Sequence, residues 1–424
     1  MSVLHIVAYM SFVVLGLPDG MLGVAWPSMS AEFARPLGAL GILLFGFTVG
    51  YLTTTAAAGP LIGRLGYARH LAVSALLMTA GGAGMALSPG WYLLVAASAV
   101  LGAGAGMLDG GLNAYAAQRF RPRDLNWLHA AYGVGATTGP LLMTPVVASE
   151  ASWRLGYVVF GLLAGAALVA FRLSRESWRT APAAGETTGA GSAEESPGAA
   201  TEPEGAAGSR RAAEPRGGTA GTPRRASRPD GVVLIVVGSL LVFFLYTGLE
   251  VVAGQWSFTL FTVGRGVDPG RAGPWISAYW GALTVGRVAF GWVSERIPAE
   301  TVLRITSLVA IAGVGLLWLG RPPVLAAVGL GILGFCLAPM FPLLIGETPR
   351  RVGTGRSDHM IGLQIAASNI GAVTLVGLAG YLVEALSLEI IGPAVFVNAL
   401  LFALVNELLT RRSRSARERG IPQT

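Results

Sequence analysis

The chain of 424 residues contains no lysine; all 30 of its basic residues are arginine. With so much alanine and glycine beside them, that points to a GC-rich bacterial genome. A phosphate-binding loop is missing as well. The string "GAGAG" at 102–106 lacks the Gly-Lys-Ser/Thr ending that cradles nucleoside phosphates, which argues against ATP-driven transport. The only cysteine, Cys336, stands in an apolar run, so intrachain disulfides and cysteine metal clusters are excluded. Charge is scarce too: 12% of residues are charged, against roughly 25% in soluble domains. No constellation suggests an enzyme, a metal centre or a cofactor, and none is expected.

What fills the chain is apolar sequence, 53% of all residues, with a mean hydropathy of +0.60. About 20 apolar residues suffice to cross a bilayer as a helix. Twelve such segments fall near 3–26, 37–62, 71–88, 91–117, 126–148, 153–173, 232–260, 273–294, 301–319, 322–346, 359–383 and 390–410. They lack the polar faces of a soluble bundle, so the bilayer is the first expected partner. The first segment carries no cleavage pattern and reads as retained. Arginine placement sets the orientation, because cytoplasmic loops collect positive charge. With the N-terminus inside, Arg64, Arg69, Arg119, Arg121, Arg123, Arg296, Arg304, Arg350, Arg351 and Arg356 fall on inner connections, as does the tail from Arg411. The outer ones hold Arg35, Arg154, Arg265, Arg271 and Arg321. Both termini are expected in the cytoplasm of a bacterial inner membrane. The net charge of +7 is then a topology signal, and nucleic acid is not an expected partner.

Between the sixth and seventh segments the composition changes abruptly to Ala, Gly, Pro, Ser, Thr, Glu and Arg, with Trp178 the sole aromatic. Such a stretch cannot bury enough apolar surface to offset its ordering entropy. The expected organisation is a six-helix bundle over 1–173, a disordered cytoplasmic linker over 174–230, a second six-helix bundle over 231–410 and a basic tail over 411–424. Short strings repeat between the halves. "TVG" occurs at 48–50 and 284–286, and "GA" at 135–136 and 371–372, displaced by the same interval. "GLPDG" (16–20) and "GLEVVAG" (248–254) each precede a tryptophan, Trp26 and Trp256. Duplication around a central site is a recurring transporter design.

Twelve helices, a central linker and the basic string "GPLIGRLGYAR" (59–69) resemble the major facilitator superfamily, with Gly63 standing where its 2–3 signature has an acid. "GWVSERI" (291–297) is the second-half counterpart and keeps Glu295 beside Arg296. "LDGGLNAY" (108–115), "LHAAYGVGATTGP" (128–140), "YTGLEVVAGQW" (246–256), "YWGALTVGR" (279–287) and "GFCLAPMFP" (334–342) are similar to the fucose permease-like branch of sugar/proton symporters. The resemblance implies an all-α membrane fold of two pseudo-symmetric six-helix bundles. It also implies alternating access and proton-coupled import of a sugar or similar polar solute, by a protein expected to be a monomer. A proton-driven exporter of amphipathic compounds is the alternative.

Ionised side chains at mid-bilayer are costly and usually face a cavity. Three acids fall inside segments, Asp19, Asp109 and Glu250, and each is a candidate proton carrier. Asp19 is either cavity-facing or wetted at the outer interface; an aspartate in this segment resembles the family's proton-linked acid. Asp109 and Asn113 are four apart and share a helical face, matching the family's acid–Asn spacing with Asp for Glu. Glu250 has Tyr246 a turn before it and Gln255 and Trp256 after it, offering an amide and a stacking surface to a sugar. The competing reading locks Glu250 in an interhelical hydrogen bond. Gln364 and Asn369 are further substrate-site candidates. Arg64, His129, Arg287, Glu295 and Arg296 are gate or interface candidates, with Arg287 free to snorkel, pair with Glu295 or meet Asp109.

Overall fold

A computed structural model describes residues 3–178, 229–293, 296–353 and 357–418. The central stretch 179–228 and Glu295 lie outside the described residues, as does the end of the tail. The helices are α1 (Val3–Glu32), α2 (Leu40–Ala56), α3 (Ala58–Leu87), α4 (Trp91–Arg119), α5 (Pro122–Ala148) and α6 (Arg154–Leu173). The second set is α7 (Pro229–Thr259), α8 (Pro269–Val293), α9 (Ala299–Leu319), α10, α11 (Ser357–Ala385) and α12 (Ile391–Glu418). Helix α10 comes in two pieces, Pro323–Leu337 and Met340–Val352, because Pro339 brings no N–H to the ladder at the junction.

Among the described residues ten helical spans are long and apolar enough to cross a membrane, with α10 as one. Helices α5 and α8 complete the twelve. They are 27 and 25 residues long but more polar, because they carry side chains that face the interior. The packing repeats with a six-helix shift. Helix α1 lies on α5 as α7 lies on α11; α2 lies on α4 as α8 lies on α10; α3 lies on α6 as α9 lies on α12. The result is two pseudo-symmetric six-helix bundles, joined where α1 meets α7, α2 meets α11 and α5 meets α8.

Two connections differ in detail from the sequence expectation. The basic string 59–69 carries the reversal between the second and third spans: the α3 range holds two helical pieces that meet at Gly66, whose φ of 70° and ψ of 160° are non-helical and would strain a side chain. The start of the central stretch, by contrast, is not disordered. Arg175–Trp178 forms a helical turn, and Trp178 is fully buried against Tyr115 and Phe171 at centroid distances of 5.0 and 5.4 Å. Tyr115 donates its hydroxyl to the Ser177 carbonyl (3.1 Å), and Trp178 Nε1 donates to Ser174 Oγ (2.9 Å). The sole aromatic of that stretch is what ties it down.

Lipid offers no hydrophobic drive for helix association, so close backbone approach at small residues does that work. The glycines of "GLPDG" illustrate it. A Cβ on Gly16 would collide with the Tyr132 carbonyl of α5, and one on Gly20 with that of Ala136. Gly16→Val is therefore expected to destabilise by about 1–3 kcal/mol or more, as overpacking does. Gly63→Val, where a Cβ meets open space, should be near neutral. Thermal unfolding of both variants in detergent checks the contrast.

Candidate functional site

Call the face from which α1 departs proximal and the opposite face distal. Helix α1 carries Asp19 just past its own midpoint, and the glycines on either side bring α5 close enough for Tyr132 to donate its hydroxyl to Asp19 Oδ2. Helix α4 carries Asp109, whose Oδ2 accepts from Tyr51 of α2 at 2.6 Å and whose Oδ1 accepts from Asn113 Nδ2 at 2.8 Å. The shared face expected for Asp109 and Asn113 is thus a direct hydrogen bond. Gly102 and Gly106 of the same helix seat it on the α2 backbone, against Phe47 and Tyr51.

Glu250 on α7 faces Arg287 of α8, with guanidinium and carboxylate 3.8 Å apart. Tyr279 donates to the Glu250 backbone carbonyl at 2.8 Å and fixes the helix there. The groups are electrostatically connected. Asp19 is within range of Glu250, Tyr51 within range of both Asp19 and Asp109, and His129 within range of Asp109 and Arg287. Acids, tyrosines and one guanidinium from α1, α2, α4, α5, α7 and α8 therefore converge between the halves. Arginine stays charged whatever its surroundings, whereas a carboxylate can take up a proton. Removing Glu250 (Glu250→Gln) is accordingly expected to cost more stability than Arg287→Gln, and the double variant to recover part of it. Side-chain exposures of 34% for Arg287 and 15% for Glu250 put the Glu250→Gln loss at about 1–3 kcal/mol, below that of a fully buried pair. Unfolding midpoints of the three variants give the order.

The halves are joined at the distal end. Gly38 N–H donates to Glu384 Oε1 (2.7 Å), Gln255 Nε2 to the Asp19 carbonyl (2.9 Å) and Ser277 Oγ to the Thr137 carbonyl (2.6 Å). Gly41 of α2 packs on Gly377 of α11, and Gly38, in the turn just before α2, packs on Gly380. Towards the proximal end these helices part: Gly362 of α11 has open space around it, and Thr53 of α2 and His129 of α5 are exposed. The molecule is closed distally and opens proximally.

Of the residues expected at a substrate site, Gln255, Trp256 and Gln364 stand elsewhere. Gln255 is 2% exposed and serves the distal seam, because its amide reaches the α1 backbone. Trp256 is fully buried between α7 and α11, donating to the Val376 carbonyl at 3.3 Å, so its ring offers no stacking face. Gln364 is buried and accepts from Thr348 Oγ1 (2.9 Å), tying α10 to α11. Asn369 bonds the Ile365 carbonyl of its own helix (2.9 Å). Tyr246 is buried beneath Glu250, its hydroxyl on the Leu337 carbonyl at 3.3 Å. Arg287 sits with Glu250 rather than at the proximal mouth. Arg64 and Arg296 are exposed at the proximal end, and His129, edge-on to Phe12 at 5.9 Å, stands on the way in. Sequence reasoning missed Tyr51 and Tyr132. Both lie in or beside strings already singled out: Tyr51 follows "TVG", and Tyr132 is inside "LHAAYGVGATTGP".

The family model described as Major Facilitator Superfamily matches residues 8–373. The chain belongs to the major facilitator superfamily. Its architecture is that of solved members. The nucleoside transporter NupG superposes with a TM-score of 0.72 at 10% identity, over 96% of this chain and 99% of NupG. The peptide transporter POT gives 0.69 at 12% identity, over 97% and 95%. FucP in the outward conformation gives 0.57 at 16% identity, over 96% and 98%. Among curated proteins, Bypass of stop codon protein 6 of Saccharomyces cerevisiae (strain ATCC 204508 / S288c) is 25% identical over 180 residues, 39% of this chain and 35% of that protein. Riboflavin transporter RibJ of Trypanosoma brucei brucei (strain 927/4 GUTat10.1) is 36% identical over 96 residues, 23% of this chain and 16% of RibJ. The chain thus spans about a third and a sixth of the lengths of these two relatives. The superfamily fold places the convergent polar groups between the two bundles of a multi-pass membrane protein.

Proposed function

We propose that this member is a proton-coupled secondary transporter that imports a sugar or a similar polar, hydroxyl-rich solute across a bacterial inner membrane. The observation that carries the reading is the company kept by the two N-terminal acids. Asp19 and Asp109 are held by neutral donors, Tyr132 and by Tyr51 with Asn113. A bonded guanidinium would keep a carboxylate ionised; a neutral hydroxyl lets it gain and lose a proton. Glu250, already facing Arg287, is the weaker candidate for the coupling proton and the better one for solute hydroxyls.

Acids, hydroxyls and the Asn113 amide suit a solute that offers many hydrogen bonds. An exporter of amphipathic compounds would be expected to converge apolar side chains there instead. RibJ and NupG carry riboflavin and nucleoside in their names, and both solutes bear a polyol or sugar, in line with this class. Arginine-rich connections at the proximal face support a cytoplasmic setting for that face and for both termini. The test is a thermal-shift screen of the purified protein against sugars, nucleosides and amphipathic cations. Hits are then assayed for uptake driven by a pH gradient in proteoliposomes, since a ligand stabilises the state it binds. Stabilisation by polyols and gradient-driven uptake support the proposal; stabilisation by amphipathic cations alone would favour the exporter.

A further inference from the structure

Asp19 and Asp109 are two copies of one local arrangement. Each is followed by glycine and, two places on, leucine: Asp19-Gly20-Met21-Leu22 and Asp109-Gly110-Gly111-Leu112. Each has glycine three places before it, Gly16 and Gly106. Each is held by a tyrosine from the crossing helix, Tyr132 of α5 and Tyr51 of α2. A Cβ on Gly16 would strike the Tyr132 carbonyl, and one on Gly106 the Tyr51 carbonyl. Gly20 abuts Ala136, four residues after Tyr132; Gly110 lies against Ala58 and Thr55, the latter four residues after Tyr51. The first helix of each three-helix set supplies the acid, and the second helix of the other set supplies the tyrosine. Helices α1 and α4 run in opposite directions, so one copy is inverted relative to the other, as inverted repeats require.

Inversion puts the two pairs at different depths. By helix rise Asp19 lies roughly 24 Å from the proximal start of α1, whereas Asp109 lies roughly 15 Å from the proximal end of α4. Beside Asp19, a cavity of about 30 Å³ is lined by Leu22, Leu43, Ser98 and Tyr157 among others, enough for one water. Leu22 is nearly one turn further distal. Asp109 instead has His129 in range on the proximally exposed turn of α5.

We infer that the N-terminal bundle holds two inverted acid–tyrosine stations: Asp19–Tyr132 exchanges protons with the distal side, and Asp109–Tyr51 with the proximal side. Tyr132 and Tyr51 are positioning residues. Each donates to its carboxylate when the proton is absent. When the acid takes up a proton it gains an O–H, and the tyrosine hydroxyl turns from donor to acceptor; nothing else changes. Asn113 and His129 also face Asp109, and Glu250, Tyr157 and Tyr51 lie in range of Asp19. The inference rests on the proton-coupled reading above.

The test uses full-length protein in oriented proteoliposomes, with pH varied on one face at a time and counterflow as the measure of folded, solute-competent protein. Tyr132→Phe should change the half-saturating proton concentration on the distal face at least threefold and leave the proximal response alone. Tyr51→Phe should do the reverse. In an Asp109→Asn background Tyr51→Phe should add nothing, because the tyrosine acts through that acid. Where a phenylalanine variant does not fold, fluorotyrosine at the same position keeps the ring and strengthens the donor. It should shift the response of the same face in the opposite sense. Variants that move both faces alike, or neither, would overturn the stations while leaving coupled transport standing. Wild-type flux that ignores pH on both faces would instead overturn proton coupling itself.

Discussion

Asp109→Asn is expected to reduce uphill, proton-driven accumulation to background while sparing counterflow. The amide keeps the size of the carboxyl and most of its hydrogen bonds. Tyr51 can still donate to the amide oxygen, and Asn113 retains a partner within the same turn. What the variant lacks is a proton to release. It stands in for the permanently protonated state, which exchanges labelled solute across the membrane without net proton movement. Uptake against a gradient and counterflow, measured side by side in one preparation, separate coupling from binding. Wild-type activity in both assays would show that the Asp109 proton is not used. Loss of both together with loss of thermal stability would make Asp109 a structural residue. Asp109→Ala is less informative, since it also strips the partner from Tyr51 and Asn113.

How far this arrangement was legible beforehand depends on the range of the interactions involved. A bilayer demands about 20 apolar residues from every crossing helix, a local requirement, so the spans stand out along the chain. The Asp109–Asn113 bond is equally local, at four residues. The partners of the two acids are not: Tyr51 is 58 residues from Asp109, and Tyr132 is 113 from Asp19. Only the crossing of α2 with α4, and of α1 with α5, brings them together. Trp256 shows the same limit from the other side. An aromatic six residues after an intramembrane acid suits a sugar site, yet which way the ring points depends on α11 packing against α7. The connection at 59–69 is local as well: Gly66, at a φ of 70° that favours glycine, breaks the helix, and the flanking arginines keep their charge in water at the membrane end.

Locking the distal seam is expected to stop transport altogether. Helices α5 and α8 meet across the two bundles, with Ser277 donating to the Thr137 carbonyl one turn from Gly281. A Cβ built on Gly281 would lie 3.3 Å from Thr137 Cγ2 and 3.9 Å from its Oγ1; the two Cβ atoms are then more than 4 Å apart, towards the upper end of the roughly 3.5–4.5 Å that a disulfide spans. A Thr137→Cys, Gly281→Cys pair in a Cys336→Ser background is therefore placed to cross-link in the distally closed state. The native thiol is buried, so removing it serves only to leave one reactive pair. If transport alternates access about this seam, the oxidised pair must hold the protein open to the proximal side. Net uptake and counterflow should both fall to background, because each requires the distal side to open. Solute binding from the proximal face should persist, and reductant should restore flux. The Gly281→Cys single variant, treated identically, shows whether the added side chain alone perturbs packing. Full transport by quantitatively cross-linked protein would mean that α5 and α8 need not separate, and the distal opening would have to be sought elsewhere than along α5 and α8.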